Sequence, residues 1–211
     1  MSQITDIKPQ KKDPKRFNIY VDGKFAFALP FEALAKEGLE IDQQISQEEI
    51  DKLVKENEFL KVYDRVLKFF SYRPRSGKEL KDWFKRKQVG EETQEMILQK
   101  MKQLGYLNDE EFSRWWIEQR TTFRPAGTRL LAMELRQKGI SREIIDKLLI
   151  TNNELLITER TLALKIAQKK WEKLRGLSHQ EARRKIGAFL ARRGFSWETI
   201  KEVVGKFDKI T

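Results

Sequence analysis

The residues best placed to do chemistry in this chain are basic side chains that recur at fixed spacing. Three segments align without gaps: Phe84-Lys85-Arg86-Lys87-Gln88-Val89, Leu135-Arg136-Gln137-Lys138-Gly139-Ile140 and Leu190-Ala191-Arg192-Arg193-Gly194-Phe195. The offsets are 51 and 55 residues, and they also align Leu80, Leu131 and Ile186 before the block and Ile97, Leu148 and Val203 after it. In this register Lys78, Arg129 and Arg184 share one position, Lys85 and Arg136 a second, and Lys87, Lys138 and Arg193 a third. Cations repeated in register neutralise a polyanion and release its counterions. The candidate contact set is Arg73, Arg75, Lys78, Lys81, Lys85, Arg124, Arg129, Arg136, Arg184, Lys185 and Arg192.

No other chemistry stands out. His179 is the only histidine and falls in the first turn of a capped helix, and there is no cysteine for a disulfide or thiolate site. The acids gather at helix starts, where the helix dipole explains them, rather than in a metal cluster. A glycine-rich phosphate loop and a nucleophile elbow are both missing. We therefore expect no enzyme, cofactor or metal. No apolar run approaches the roughly 20 residues that span a bilayer, and the polar opening MSQITDIKPQKK does not read as a signal peptide. A cytoplasmic protein is expected. The net charge of +11 is unevenly spread. Residues 1–59 hold 9 Lys and Arg against 12 Asp and Glu, whereas residues 60–211 hold 34 against 20. Within the basic part, residues 60–107 and 154–211 carry net charges of +6 and +7, and residues 108–153 only +1. Nucleic acid is the leading partner class.

The elements that must position these cations are mostly helices. Only the start reads as β: Phe17–Val21 and Lys24–Leu29 flank Asp22-Gly23, the strongest short hairpin signal. Ile4–Lys8 is a candidate third strand, followed by a loop from Pro9 to Lys15. Pro30 opens a short helix that Gly38 ends. Ser46 to Glu49 is a capping box whose helix carries Ile50, Leu53 and Val54, and near Asn57 this helix either breaks or runs on through Val62, Val66, Leu67 and Phe70. Ser76 to Glu79 and Ser178 to Glu181 have the same box pattern, and Asn108, Ser141, Thr151–Glu154 and Ser196 are further caps. Apolar residues at helical spacing give the inner faces: Leu80, Trp83 and Phe84; Met96, Ile97, Met101 and Leu104; Phe112, Trp115, Trp116 and Phe123; Leu131 and Leu135. Lys78, Lys81 and Lys85 fall opposite the first of these faces. Adjacent Trp115 and Trp116 cannot both point inward, so one should lie at a seam between repeats or on a binding surface.

Repetition at this period points to stacked helical units. The expected fold is mainly α: three tandem three-helix repeats in an elongated, curved array, with an N-terminal β-hairpin or small ribbon. The expected divisions are an N-terminal extension at 1–59 and repeats at 60–107, 108–153 and 154–211.

Three segments carry a resemblance to a known family. Arg73-Pro74-Arg75-Ser76 with Glu79-Leu80 resembles the R-x-R-S-x-x-E-L signature of the RecX regulatory proteins. Leu104–Phe112 resembles their L-x-x-x-G-Y-[LI]-[ND]-D-x-x-F segment, and Gly127 with Glu134–Ile140 their G-x(6)-E-L-x-x-K-G-I. The likeness covers about residues 60–150 well and the third repeat loosely, with residues 1–59 outside the shared core. Gln88 stands where the family often has Gly. The resemblance implies a non-catalytic modulator that lies along the groove of the RecA–DNA filament and inhibits strand exchange, ATP hydrolysis and co-protease activity. It implies RecA and single- or double-stranded DNA as partners, and a monomer is expected. Most signature residues read as caps and core; Arg73 and Arg75, flanking Pro74, are expected in an exposed turn. The alternative is a RecA-independent DNA-binding protein using the basic repeats.

Overall fold

The computed structural model describes residues 2–149 and 153–207, with the backbone alone for 153–158. It divides into two compact units. One is built from the chain up to Tyr72 together with Lys87–Met101; the other from Arg73–Arg86 and everything from Lys102 onward.

The first unit opens with three antiparallel strands, β1 (Ser2–Pro9), β2 (Arg16–Val21) and β3 (Lys24–Pro30). Asp22 and Gly23 take φ of +50° and +76°, as the tight β2–β3 turn requires. A two-residue strand, β4 (Gln44–Ile45), pairs with Ser2 and Gln3 and completes the order β3-β2-β1-β4. Sequence reading missed it because two residues carry no periodicity. The short helix α1 (Phe31–Glu37) starts after Pro30 and stops at left-handed Gly38. Helix α2 runs unbroken from Gln47 to Ser71, with both halves of the Ser46–Glu49 capping box formed. It does not break at Asn57: that side chain is buried and accepts from Arg16 Nη2 at 3.1 Å, while the same nitrogen donates to Ala28 O at 2.9 Å. Sheet and helix close over Ile4, Ile19, Phe27, Leu29 and Leu53.

The remaining helices are α3 (Gly77–Lys87), α4 (Glu91–Gln103), α5 (Asp109–Phe123), α6 (Thr128–Gln137), α7 (Arg142–Leu149), α8 (Asn153–Glu172), α9 (His179–Arg192) and α10 (Trp197–Lys206), so a mainly helical fold is observed. Helices α5, α6 and α7 share one core around Phe112, Leu131, Leu135, Ile145 and Leu148. Helices α8, α9 and α10 share another around Ala163, Ile186, Leu190, Phe195 and Val203. Asn108, Ser178 and Ser196 cap as expected, and Gly105, Gly139 and Gly194 stop helices at φ of +74° to +79°. The cap expected at Thr151 and Asn152 lies outside the described residues. His179 is structural: its Nε2 sits 2.9 Å from Phe207 O and its ring meets Trp171 edge-on.

Four inner-face assignments are corrected. Val54, Met96, Leu104 and Phe123 are exposed, whereas Thr93, Ser113 and Ile117 are buried. An apolar residue one position off the stripe looks the same in sequence, and small polar residues are buried where helices approach closely; Ser113 Oγ, for example, donates to Asp109 O at 2.6 Å.

Candidate polyanion-binding face

Two seams, built to one plan, position the cations. At each, the start of one helix meets the end of another, α3 meeting α6 and α6 meeting α9. Ser76 Oγ donates to Lys138 O at 2.7 Å, and Gly77 N–H donates to Asp109 Oδ1 at 3.0 Å. At the equivalent residues one repeat on, Gly127 N–H donates to Arg193 O at 2.9 Å and Thr128 N–H to Glu159 Oε2 at 3.4 Å. The first amides of a helix have no partner within it, and here a carboxylate from the following repeat supplies one. The seams are tight. A Cβ on Gly139 would stand 2.7 Å from Lys78 Cβ, and one on Gly127 would stand 2.3 Å from Phe195 Cα.

This geometry corrects three expectations. Arg73 does not sit in a free turn: Nη1 and Nη2 each donate to Glu79 at 2.9 Å, and its guanidinium lies 5.5 Å from the Trp115 ring. Arg75 is half-buried; burial first, then the nearby Arg73 charge, pushes its guanidinium below the usual value. The capping box expected at Ser76 and Glu79 is formed only in half. Ser76 Oγ accepts from Glu79 N–H at 3.2 Å, but the Glu79 carboxylate takes both Arg73 and Lys138. Burial works to raise the Glu79 pKa, but hydrogen bonds and charge from Arg73 and Lys138 outweigh it and hold the group at about 2. The third shared basic position likewise turns inward in two repeats, since Lys138 reaches Glu79 and Arg193 Nη1 donates to Pro125 O. Both tryptophans are half-buried on Phe112; Trp116 Nε1 donates to Glu134, which also takes Arg120 through two hydrogen bonds.

The other candidates face solvent. Lys78, Lys81 and Lys85 are exposed on α3, Arg124 on the α5–α6 turn, Arg129 and Arg136 on α6, and Arg184, Lys185 and Arg192 on α9. Lys78 has Asp82 at 3.5 Å; among the described residues none of the other eight forms an ion pair. Two are brought together: Arg129 and Arg136 border one open groove of about 250 Å3 floored by Ala132, Ile145 and Leu149, with Asp146 on its rim. The α3, α6 and α9 sets otherwise stand each on its own helix.

One basic patch was not selected from the sequence. Lys169, Lys170 and Lys173 surround an open hollow of about 320 Å3 with Ile166 and Phe189, and Lys170 and Arg193 lie 5.9 and 5.4 Å from the Phe189 ring. The lysine run and the +7 charge of the third repeat were the signal. Among the described residues no group of three or more His, Asp or Glu side chains is arranged to hold a metal ion, and no helix is long and apolar enough to cross a membrane.

Comparison with known proteins matches three family models: "Regulatory protein RecX N-terminal domain" over residues 2–46, "RecX, second three-helix domain" over 108–149 and "RecX, third three-helix domain" over 158–204. The N-terminal segment is therefore a domain of the family rather than an addition outside it. The regulatory protein RecX of Clostridium perfringens (strain SM101) is 32% identical over 97% of this chain and 95% of its own. That of Bacillus subtilis (strain 168) is 31% identical over 99% and 78%. A crystal structure of a regulatory protein RecX superposes with a TM-score of 0.72 at 26% identity, covering 96% of this chain and 98% of that one.

Proposed function

This chain belongs to the RecX family of regulatory proteins, and from that premise we propose that it binds RecA and RecA–DNA filaments and inhibits their recombinase, ATPase and co-protease activities in DNA repair. It acts in the cytoplasm, as a monomer, by binding rather than by catalysis. The repeats run over 60–107, 108–153 and 154–211. The exposed cations of their middle helices, Lys78, Arg129 and Arg184 with Lys81, Lys85, Arg124, Arg136, Lys185 and Arg192, lie against DNA phosphates or acidic RecA surface.

The observation that carries this reading is the placement of Lys78 and Arg129. Each occupies the first turn of its helix beside a seam of the same construction, so the stacking rule that orders the repeats also fixes where these charges stand. Cations on the first turn oppose the helix dipole, a cost that an external polyanion offsets. Arg73 and Arg75 leave the contact set, because Arg73 is engaged with Glu79 and Arg75 is half-buried. Lys169, Lys170 and Lys173 join it.

The test compares binding to RecA–DNA filaments, to free RecA and to free DNA at two salt concentrations. We expect the filament to be preferred at both, with a salt-dependent component from phosphate contacts. Equal affinity for filament and bare DNA, with a sequence-specific footprint, would replace this reading by a RecA-independent DNA binder.

A further inference from the structure

The N-terminal unit holds an open groove of about 210 Å3 between the end of β3, α1 and α2. Leu29, Ala33, Leu53 and Leu60 make it apolar, and Asn57 lies among them. Asn57 is only 7% exposed. Its Oδ1 accepts from Arg16 Nη2 at 3.1 Å, and because a guanidinium only donates, that bond fixes which way the amide is turned. The Nδ2 hydrogens are left without an acceptor among the described residues. Asn57 is one of the residues that line the groove, and a donor there without a protein acceptor is open to an incoming carbonyl.

The rim is acidic. Glu32, Glu37 and Glu56 line the opening against a single cation, Lys36. Lys36 lies 3.8 Å from Glu37 and Lys52 lies 4.0 Å from Glu56, both at the outer limit of pairing and well solvated. Residues 1–59 are net acidic in an otherwise strongly basic chain, so this unit repels the polyanion that the repeats attract.

We propose that this groove docks an extended segment of a protein partner, carrying one apolar side chain with Lys or Arg beside it. The apolar side chain fills the space between Ala33 and Leu53. The basic neighbours meet Glu32, Glu37 and Glu56. A backbone carbonyl of the segment accepts from Asn57 Nδ2–H, and this requires extended backbone, since a helix uses its carbonyls internally. The proposal goes beyond the filament reading and stands or falls without it.

The test selects random nine-residue displayed peptides on the full-length chain. The expected consensus is an apolar residue with Lys or Arg within two positions. A synthetic peptide of that sequence should bind the wild type at least about tenfold more tightly than Ala33→Trp, which fills the groove. It should lose affinity similarly for Asn57→Asp, which keeps the acceptor for Arg16 and removes the donor, and for Glu32→Lys/Glu37→Lys/Glu56→Lys. Far-UV circular dichroism establishes that each variant is folded. A consensus without basic residues, no enrichment over Ala33→Trp, or equal affinity for folded Asn57→Asp would overturn the proposal. So would self-association of the wild type that Ala33→Trp abolishes, which assigns the groove to a second copy of this chain.

Discussion

Glu79 shows how a residue's sequence context and its role can part. By pattern it is the fourth residue of a capping box, yet its carboxylate joins Arg73, six residues back, to Lys138 in the next repeat. No local signal marks the Lys138 contact, because the two lie 59 residues apart. The folded-state pKa is depressed from 4.5 to about 2, so the stabilisation is present above the unfolded pKa and is lost as pH falls from about 5 toward 2. Glu79→Gln should cost about 2–3 kcal/mol at pH 7 and flatten this part of the stability–pH profile, read by urea unfolding between pH 2 and 7. An unchanged acid limb would show that the charge is not coupled to folding. Gln88 offers the opposite case. It follows the end of α3 at φ +52°, where the family it resembles often has Gly, and a left-handed non-Gly residue costs about 1 kcal/mol. Gln88→Gly should raise stability by about that amount in equilibrium unfolding.

At the scale of elements, local rules carried far. The Asp22-Gly23 turn, the Ser46 and Ser178 capping boxes, the Asn108 cap and the glycine stops are each set by a few neighbouring residues, and sequence reading placed all of them. What it missed is held by tertiary contact. No local signal marks the role of Asp109 or Glu159, yet Asp109 accepts from the first turn of α3 and Glu159 from that of α6. The cations divided the same way. Their exposure on α3, α6 and α9 followed from the apolar stripes, whereas the inward turn of Lys138 and Arg193 depended on partners distant in sequence. The seam also gives Gly127, the N-cap of α6, a reason beyond local preference. Gly127→Ala drives a Cβ into the Phe195 backbone and should cost about 2–4 kcal/mol in thermal unfolding. Gly205→Ala, on α10 with open space around it, should instead be neutral or gain about 0.5–1 kcal/mol.

For the whole molecule, the division of charge is the organising fact. Residues 1–59 are acidic, 60–107 and 154–211 strongly basic and 108–153 nearly neutral, so long-range attraction to a polyanion acts at two places along the chain. Raising salt from 50 to 200 mM should weaken filament binding markedly, because exposed cations release counterions. The salt slope should fall when Lys169, Lys170 and Lys173 are changed to Gln, without loss of helicity. These lysines border a solvent-open hollow, and among the described residues none forms an ion pair.

The most direct measurement is RecA ATPase on single-stranded DNA in the presence of Lys78→Glu/Arg129→Glu/Arg184→Glu. The three side chains are exposed, so the variant should remain folded, which far-UV circular dichroism checks. Its filament affinity should fall by about tenfold or more, and its inhibition of ATP hydrolysis with it. A folded triple variant that inhibits RecA as well as the wild type would show that the repeated basic positions are not the binding face.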